Sequence, residues 1–595
     1  MLAGLSYTWS LDQTALERFY GAAARSMAGS WHDFVFAALD PRATVSVDKL
    51  PGALFVQAVF VRVVGFHVWA VALPQAIEGI VSVLALFRAV RRLAGPRAAL
   101  VAAAVLAASP SAVLLNRGNV SDSLLVMLTV LAADAASAAI VSEGIGPLLW
   151  SGVLVGLAFQ AKMLQAWLVL PALLGAYLVA GRPPLVRRWV NAGWALVACV
   201  AVSLSWMTAV SLVSGASRPY VDGSLDDSLF VQVFIYNGVG RLGLRLGSGL
   251  VPQHVAPFIA LAERGGLPGT VAIARSWHRL LAGPFGRDDA WLLPASLAAL
   301  VALFVERRRQ ARSDPLRALA LLWGGWLVVL FAFFNAGTYL NAYYTAAVAP
   351  AVAAVCGAGA DALLRRPPLR AAPVVLVLLA ASLAYGLYLV PARSGAAVWL
   401  DPTGAALAAL AGLALLAAVR RRPARPAVLA VGAACAAMLV FPAATSGVVT
   451  AEGLGAFSTP YQPPAATAAL QTSVVRLERE APAVERYWAP YRHFAYLAAV
   501  PTSDLASPYI MLTGEEFLPV GGLSGTVPAP SLSRLRQLVD NGELGVAYIP
   551  IRPATHDPRL VYLAHRCRFL RRQPYENGVV LAEVGCSPAR AAAQR

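Results

Sequence analysis

The chain is 595 residues long, 58% hydrophobic and only 13% charged, with a mean hydropathy of +0.64. Soluble domains carry about 25% charged residues, so the composition excludes an ordinary water-soluble protein and points to a polytopic membrane protein. A net charge of +17 would suit a nucleic-acid binder, but the distribution of the arginines argues against that partner.

Residues 1–67 are mixed in character and carry Asp12, Glu17, Asp33, Asp40, Asp48 and Lys49. Lys49 and Lys162 are the two lysines; the other basic residues are arginine. Apolar runs suited to a hydrocarbon core of about 30 Å follow. They predict helices at 68–90, 97–115, 123–141, 147–162, 165–180, 190–212, 291–306, 317–335, 343–364, 372–391, 403–419 and 426–445. The run from Pro147 to Gly181 is too long for one ordinary crossing and has Lys162 near its middle. Two short helices turning at Lys162 are therefore expected.

Between the runs lie five arginine clusters: 88–97, 182–188, 307–317, 365–370 and 420–425. The positive-inside rule puts all five in the cytoplasm, so the net charge reads as topology. Twelve visible spans result, with both terminal segments outside. That placement of 1–67 creates the expectation of a further apolar helix upstream of Met1. Chemistry is expected on the outer face, because the inner connectors are short and no GxxxxGK[ST] phosphate loop is present.

Four outer segments bring polar groups to helix ends. The first is 1–67. The second, "NRGNVSD", carries Asn116, Arg117, Asn119 and Asp122. The third, within 213–290, carries Asp222, Asp226, Asp227, Tyr236, Asn237 and Arg241. The fourth, "NAGTYLNAYY", carries Asn335, Tyr339, Asn341, Tyr343 and Tyr344. Ionisable groups at membrane depth are expensive, which makes function a fair default for them; solvated loop residues are the plain alternative. The seven histidines are scattered without metal-ligand spacing. No cofactor is required, and a divalent metal is left open.

From about residue 446 the membrane pattern stops and a small α/β domain is expected. "SLSRLRQLVDNGEL" reads as a helix starting at Ser531 or Ser533 and ended by Gly542. "VAYIPI" and "VVLAEV" read as strands. Cys567 and Cys586 flank two strands around a turn at Glu576-Asn577-Gly578, where a disulfide is plausible in an oxidising compartment. Cys199, Cys356 and Cys435 lie in the predicted spans and read as small core residues.

Seven ordered stretches carry a resemblance: "SMAGSWHDFVFAALDPRATVSVDKLPG", "LPQAIEGI", "NRGNVSD", "AFQAKMLQAWLVLPAL", "RPYVDGSLDDS" with "YNGVGR", "WLLPASL" and "LNAYYTAAVAPAVAA". Together they resemble the bacterial family 39 glycosyltransferases of the GT-C superfamily, relatives of protein O-mannosyltransferases and of the lipid A aminoarabinose transferase. "PVGGLSGTVPAPSLSRLRQLVDNGEL" resembles the C-terminal extracytoplasmic domain of the actinobacterial-type branch. The expected fold class is mainly α: a polytopic GT-C membrane fold of about 12 visible helices with a small extracytoplasmic α/β domain. The expected domains are 1–67 as the first outer loop, 68–445 as the membrane domain with outer loop 213–290, and 446–595 as the outer α/β domain.

The resemblance implies transfer of a sugar, with mannose the first candidate, from a polyprenyl-phosphate donor. The acceptor would be a protein, lipid or envelope glycan at the outer face of the plasma membrane, and in-line attack would invert the anomeric centre. Lys49 matches a motif lysine that the family uses on the donor phosphate, with Asp48 as its partner. Arg117 and Lys162 are further candidate phosphate ligands. Glu17 is the first choice for the base that takes the acceptor proton, with Asp12 and Asp40 as rivals. Asn116, Asp122, Asp226, Asn237, Arg241, Tyr343 and Tyr344 are expected to line the substrate cavity. The sequence departs from the family at Leu50 and Asn341, and Glu78 and Asp134 fall inside predicted spans. A lipid-linked sugar flippase and an inactive accessory relative are the competing readings.

Overall fold

A computed structural model describes residues 1–242, 271–272, 276–337, 340–391, 397–420, 424–462, 474–475, 477–552, 555–574 and 579–586. The chain forms two compact units that do not follow chain order. One comprises Met1–Leu11, Gln75–Leu204 and Gly269–Thr467; the other comprises Asp12–Pro74, Ser205–Pro268 and Ala468–Arg595.

Among the described residues, seven helices are long and apolar enough to cross a membrane, or eight if the pair Val428–Ala437 and Val440–Ala451, bent by 41°, is one span. By this measure not all of the expected twelve are matched; Pro96–Ala107, Leu164–Ala180 and Thr403–Ala417 are apolar but shorter. Several predicted runs break into shorter pieces. Residues 97–115 divide into Pro96–Ala107 and Pro110–Leu115. Pro110 lacks an amide hydrogen and forces Ser109 into an extended conformation (φ −73°, ψ 124°), which ends one helix and starts the next. The run through Lys162 behaves as expected. Gly146–Lys162 stops at Met163, whose φ is +49°, and Leu164–Trp167 and Leu170–Ala180 follow.

In the first unit the apolar core includes the fully buried Trp323, Trp326, Phe159 and Tyr177. Trp326 Nε1 donates to the Ala347 carbonyl at 2.8 Å, meeting the hydrogen-bond need of a buried indole. Asp134, out of place in an apolar run, pairs with Arg88 at 3.1 Å and Arg92 at 3.0 Å. It therefore belongs with the first arginine cluster.

The second unit combines the first loop with the C-terminal domain. The loop is more helical than its sequence suggests, with helices Arg18–Gly29, Trp31–Phe36 and Gly52–Val64. Gly52–Val64 is apolar, but its 13 residues are too few to span a bilayer. Leu16–Glu17 pairs antiparallel with Val474–Val475 of the tail.

The C-terminal domain holds a mixed sheet of β1 (Tyr496–Val500), β2 (Phe517–Pro519), β3 (Leu544–Arg552), β4 (Arg568–Pro574) and β5 (Val580–Gly585), in the order β2-β1-β3-β5-β4. β1 runs parallel to β2 and β3, whereas β5 is antiparallel to both β3 and β4. Helix Leu532–Asp540 starts at Ser531, whose side chain accepts from Arg534 N. Its Leu535, Leu538 and Val539 are buried, in the core cluster that includes Ala499, Ala547 and Val584. Cys567 and Cys586 are joined by a disulfide. The turn at 576–578 lies outside the described residues.

Candidate active site

In the second unit the chemistry gathers around Lys49. Helix Gly52–Val64 begins just after it, at the N-cap Pro51, and the short segment before it is tied down along its backbone. Val47 N donates to Ala37 O, and Asn237 Nδ2 donates to Asp48 O at 2.7 Å. The Lys49 ammonium lies 3.3 Å from Asp48 Oδ1, donates to the Tyr20 hydroxyl and sits 4.6 Å from the centre of the Tyr20 ring. Lys49 is 8% and Asp48 3% exposed, so a cation is held ready in a nearly dry place. There it attracts an anion far more strongly than it could in water.

Glu17 is the N-cap of helix Arg18–Gly29. Its carboxylate accepts from Phe19 N at 3.1 Å and Tyr20 N at 2.7 Å, so it also places Tyr20. Burial outweighs those two hydrogen bonds and pushes its pKa up from 4.5 to about 7. Asp40 is fully buried and accepts from Thr44 N at 2.8 Å and Val45 N at 3.1 Å, folding its own loop. It also shares a hydrogen bond with Glu516 of the C-terminal domain, and burial raises the pKa of both. Asp12 stands exposed in the turn Leu11–Gln13. Asp226 is exposed as well, and the side chain of Arg241 lies outside the described residues.

Asp222 belongs to this site, although the sequence marks it as only one polar loop residue among several. Its carboxylate accepts from Gly223 N at 2.7 Å and Leu523 N at 2.8 Å. Its backbone N–H donates to Ser46 Oγ, and its carbonyl accepts from Gln232 Nε2, which also donates to Val47 O. Three distant stretches of chain therefore meet on one residue. Burial, followed by the nearby Asp48, pushes its pKa from 3.8 to about 7. Gly522 permits the approach: at φ +65°, a Cβ there would lie 2.6 Å from Asp222 Oδ1. The C-terminal domain also grips the first loop through Arg18, which holds Asp504 at 2.6 and 3.0 Å, and through Arg25 on the Met511 carbonyl at 2.6 Å.

The first unit carries a second lysine–aspartate pair. Lys162 Nζ lies 2.6 Å from Asp122 Oδ2, with Lys162 7% and Asp122 1% exposed. The break at Met163 leaves Lys162 at a helix end, and Asp122 opens helix Asp122–Val141, where the helix dipole favours a carboxylate. The Lys162 ammonium lies 4.4 Å from the Tyr344 ring centre and 4.9 Å from that of Tyr343. The two rings meet edge to face, and Asn341 donates to the Tyr343 hydroxyl. Arg117 is fully buried and donates to the Ser6 and Trp9 carbonyls at 3.0 and 2.7 Å. Asn116 donates to Ala112 O at 2.7 Å. Lys162, Asp122, Tyr343 and Tyr344 thus form one cluster, while Arg117 and Asn116 hold backbone. Among the described residues no group of three or more His, Cys, Asp or Glu is placed to hold a metal ion.

The fold is that of a GT-C membrane glycosyltransferase. The chain superposes on ArnT from Cupriavidus metallidurans with a TM-score of 0.53 bound to undecaprenyl phosphate and 0.54 in the apo state, at 18% identity. The superposition covers 99% of this chain and 97% of the former, and 98% and 95% for the latter. Residues 48–206 match the family described as dolichyl-phosphate-mannose-protein mannosyltransferase, and residues 489–553 match "Putative mannosyltransferase YkcB-like, C-terminal". Two Bacillus subtilis proteins are similar along the chain. "Putative mannosyltransferase YycA" is 29% identical over 90% of this chain and 87% of its own length. "Putative mannosyltransferase YkcB" is 29% identical over 58% of each. The fold and these likenesses agree with the glycosyltransferase that the motifs implied.

Proposed function

We propose that the protein moves a sugar, mannose in the first instance, from a polyprenyl-phosphate donor to an acceptor hydroxyl on the extracytoplasmic face. The observation that carries this reading is the buried Lys49 beside Asp48 and Tyr20, at the start of the segment similar to the mannosyltransferase family. The bond between the sugar's anomeric carbon and the phosphate oxygen breaks, and the phosphate leaves with added negative charge. The Lys49 ammonium, with the Tyr20 hydroxyl fixed beside it, stabilises that charge as it develops. The acceptor oxygen attacks the anomeric carbon from the opposite face, which inverts it. Its proton passes to Glu17, whose pKa near 7 suits a base working at neutral pH. The products are the glycosylated acceptor and polyprenyl phosphate. The Lys162–Asp122 cluster is a second candidate subsite, to be read from its own variants.

The test supplies purified protein with radiolabelled polyprenyl-phosphate mannose and an envelope extract as acceptor. Label passing to the extract, and failing to do so with Lys49→Ala, supports the proposal. Movement of intact donor across a proteoliposome without bond cleavage makes the protein a flippase. Donor binding without turnover makes it an inactive relative.

A further inference from the structure

The first unit carries a groove far richer in apolar groups than either lysine cluster. A cavity of about 170 Å³ lies among helices Leu293–Arg307, Ala349–Leu364, Pro368–Leu389 and Ala424–Ala437. Its walls include Ala298, Ala302, Cys356, Val374 and Cys435. The small side chains leave the space open. At Gly359, also in the lining, a Cβ would stand 2.7 Å from Ala299 Cβ, so the two helices touch at that level. Three of the four helices belong to runs long and apolar enough to cross a membrane, so the surrounding solvent is hydrocarbon.

Only one end of the groove is charged. Glu306 and Arg366 line it there and form an ion pair with each other. Glu306 is followed by Arg307, Arg308 and Arg309, and Arg366 lies in a basic connector with Arg365 that leads to Arg370 at the start of the next helix. The acids paired with them are Glu306 on Arg366, Asp361 on Arg365 and Asp314 on Arg307. Six arginines against three acids leave this end net cationic, and arginine is the side chain best shaped to take a phosphate by two hydrogen bonds at once.

We propose that this groove is a binding site for an anionic diacyl phospholipid, one acyl chain lying among the alanines and the head phosphate resting on the arginines at the mouth. Basic pockets between membrane helices are a known way of recognising such head groups. The narrow alanine-lined walls suit an unbranched acyl chain better than an isoprenoid, which carries repeated methyl branches. The site is independent of the donor chemistry and does not rest on the proposed function.

Native mass spectrometry of the full-length protein tests this, with phosphatidylglycerol, phosphatidylcholine and undecaprenyl phosphate as probes. One phosphatidylglycerol should be retained at least ten-fold more than phosphatidylcholine. Ala302→Trp or Val374→Trp, which fill the groove, should abolish that retention. Arg366→Gln should remove the preference for the anionic lipid. The wild-type protein gives an independent readout: phosphatidylglycerol should slow modification of Cys356 and Cys435 by N-ethylmaleimide several-fold. Equal retention of both phospholipids, or unprotected cysteines, would overturn the proposal. So would displacement of phosphatidylglycerol by equimolar undecaprenyl phosphate, since the groove would then belong to the donor.

Discussion

Lys49 is a lysine in a chain whose cations are otherwise almost all arginine, and its surroundings give a reason. Asp48 at 3.3 Å and the Tyr20 hydroxyl leave room for a compact ammonium, whereas a planar guanidinium prefers fixed, two-pronged partners. Lys49→Ala should lower the transfer rate roughly 100-fold or more, and Lys49→Arg should be clearly impaired. An arginine variant as fast as wild type in initial-rate assays would remove the phosphate role. Glu17 joins two duties, helix cap and candidate base. Glu17→Gln should cost about 0.5–2 kcal/mol of stability, the usual range for a lost cap, and about 10²–10⁴-fold in rate. A base must be deprotonated to act, so the wild-type rate should rise with pH to a plateau with its midpoint near 7. That midpoint should vanish in the variant. If the pH–rate profile is the same in both proteins, the base is elsewhere.

Between residues and the whole chain, the element that decides the site is the turn after β2. Its glycines carry positive φ, +107° at Gly521 and +65° at Gly522, and they bring Leu523 N onto Asp222. Gly522→Ala should cost about 1–3 kcal/mol for the strained backbone, with the clash on Asp222 added, read as a fall in Tm. Asp222→Asn offers one oxygen where two N–H groups need acceptors, so the Lys49 segment should loosen. Undecaprenyl phosphate should then bind several-fold more weakly in a titration, while Asp226→Asn, on an exposed residue, should bind as wild type. Equal binding by Asp222→Asn and wild type would reduce Asp222 to a scaffold residue.

At this level the limits of the sequence are also plain. The helix at Leu532–Asp540, the strands and the break at Lys162 were legible because capping, alternation and length are local signals. Lys49 and Lys162 stood out through rarity and motif. Tyr20, Asp222 and Glu516 did not, because their partners lie up to 474 residues away and no local pattern encodes such a meeting. The count of spans was less legible, since an apolar run shows how much surface is buried, not where a proline such as Pro110 will divide it.

For the molecule as a whole, five buried carboxyl groups among the described residues of one unit carry raised pKa values: Glu17 and Asp222 near 7, Asp33, Asp40 and Glu516 in the same direction. An acid whose folded pKa exceeds its unfolded value binds protons more readily when folded. Its contribution is complete below the unfolded value and disappears as pH rises through the folded one. The ordinary values here are 4.5 for Glu17 and 3.8 for Asp222. Tm should therefore fall as pH rises from about 5 to about 8, and the double variant Glu17→Gln, Asp222→Asn should flatten that slope. A Tm that climbs across this window would contradict the burial of these groups. Stability and turnover are thus expected to run in opposite directions over the same pH range.

The bridge between Cys567 and Cys586 also makes the chain its own record of where it has been. Five cysteines are encoded, and three are free once the bridge has formed. Such bonds form in oxidising compartments and are rare in the cytosol. A molecule whose tail has crossed the membrane should therefore take up three alkyl groups when denatured without reductant, and one retained inside should take up five. Mass alone would sort a population into translocated and stranded chains, with no tag, fusion or antibody added.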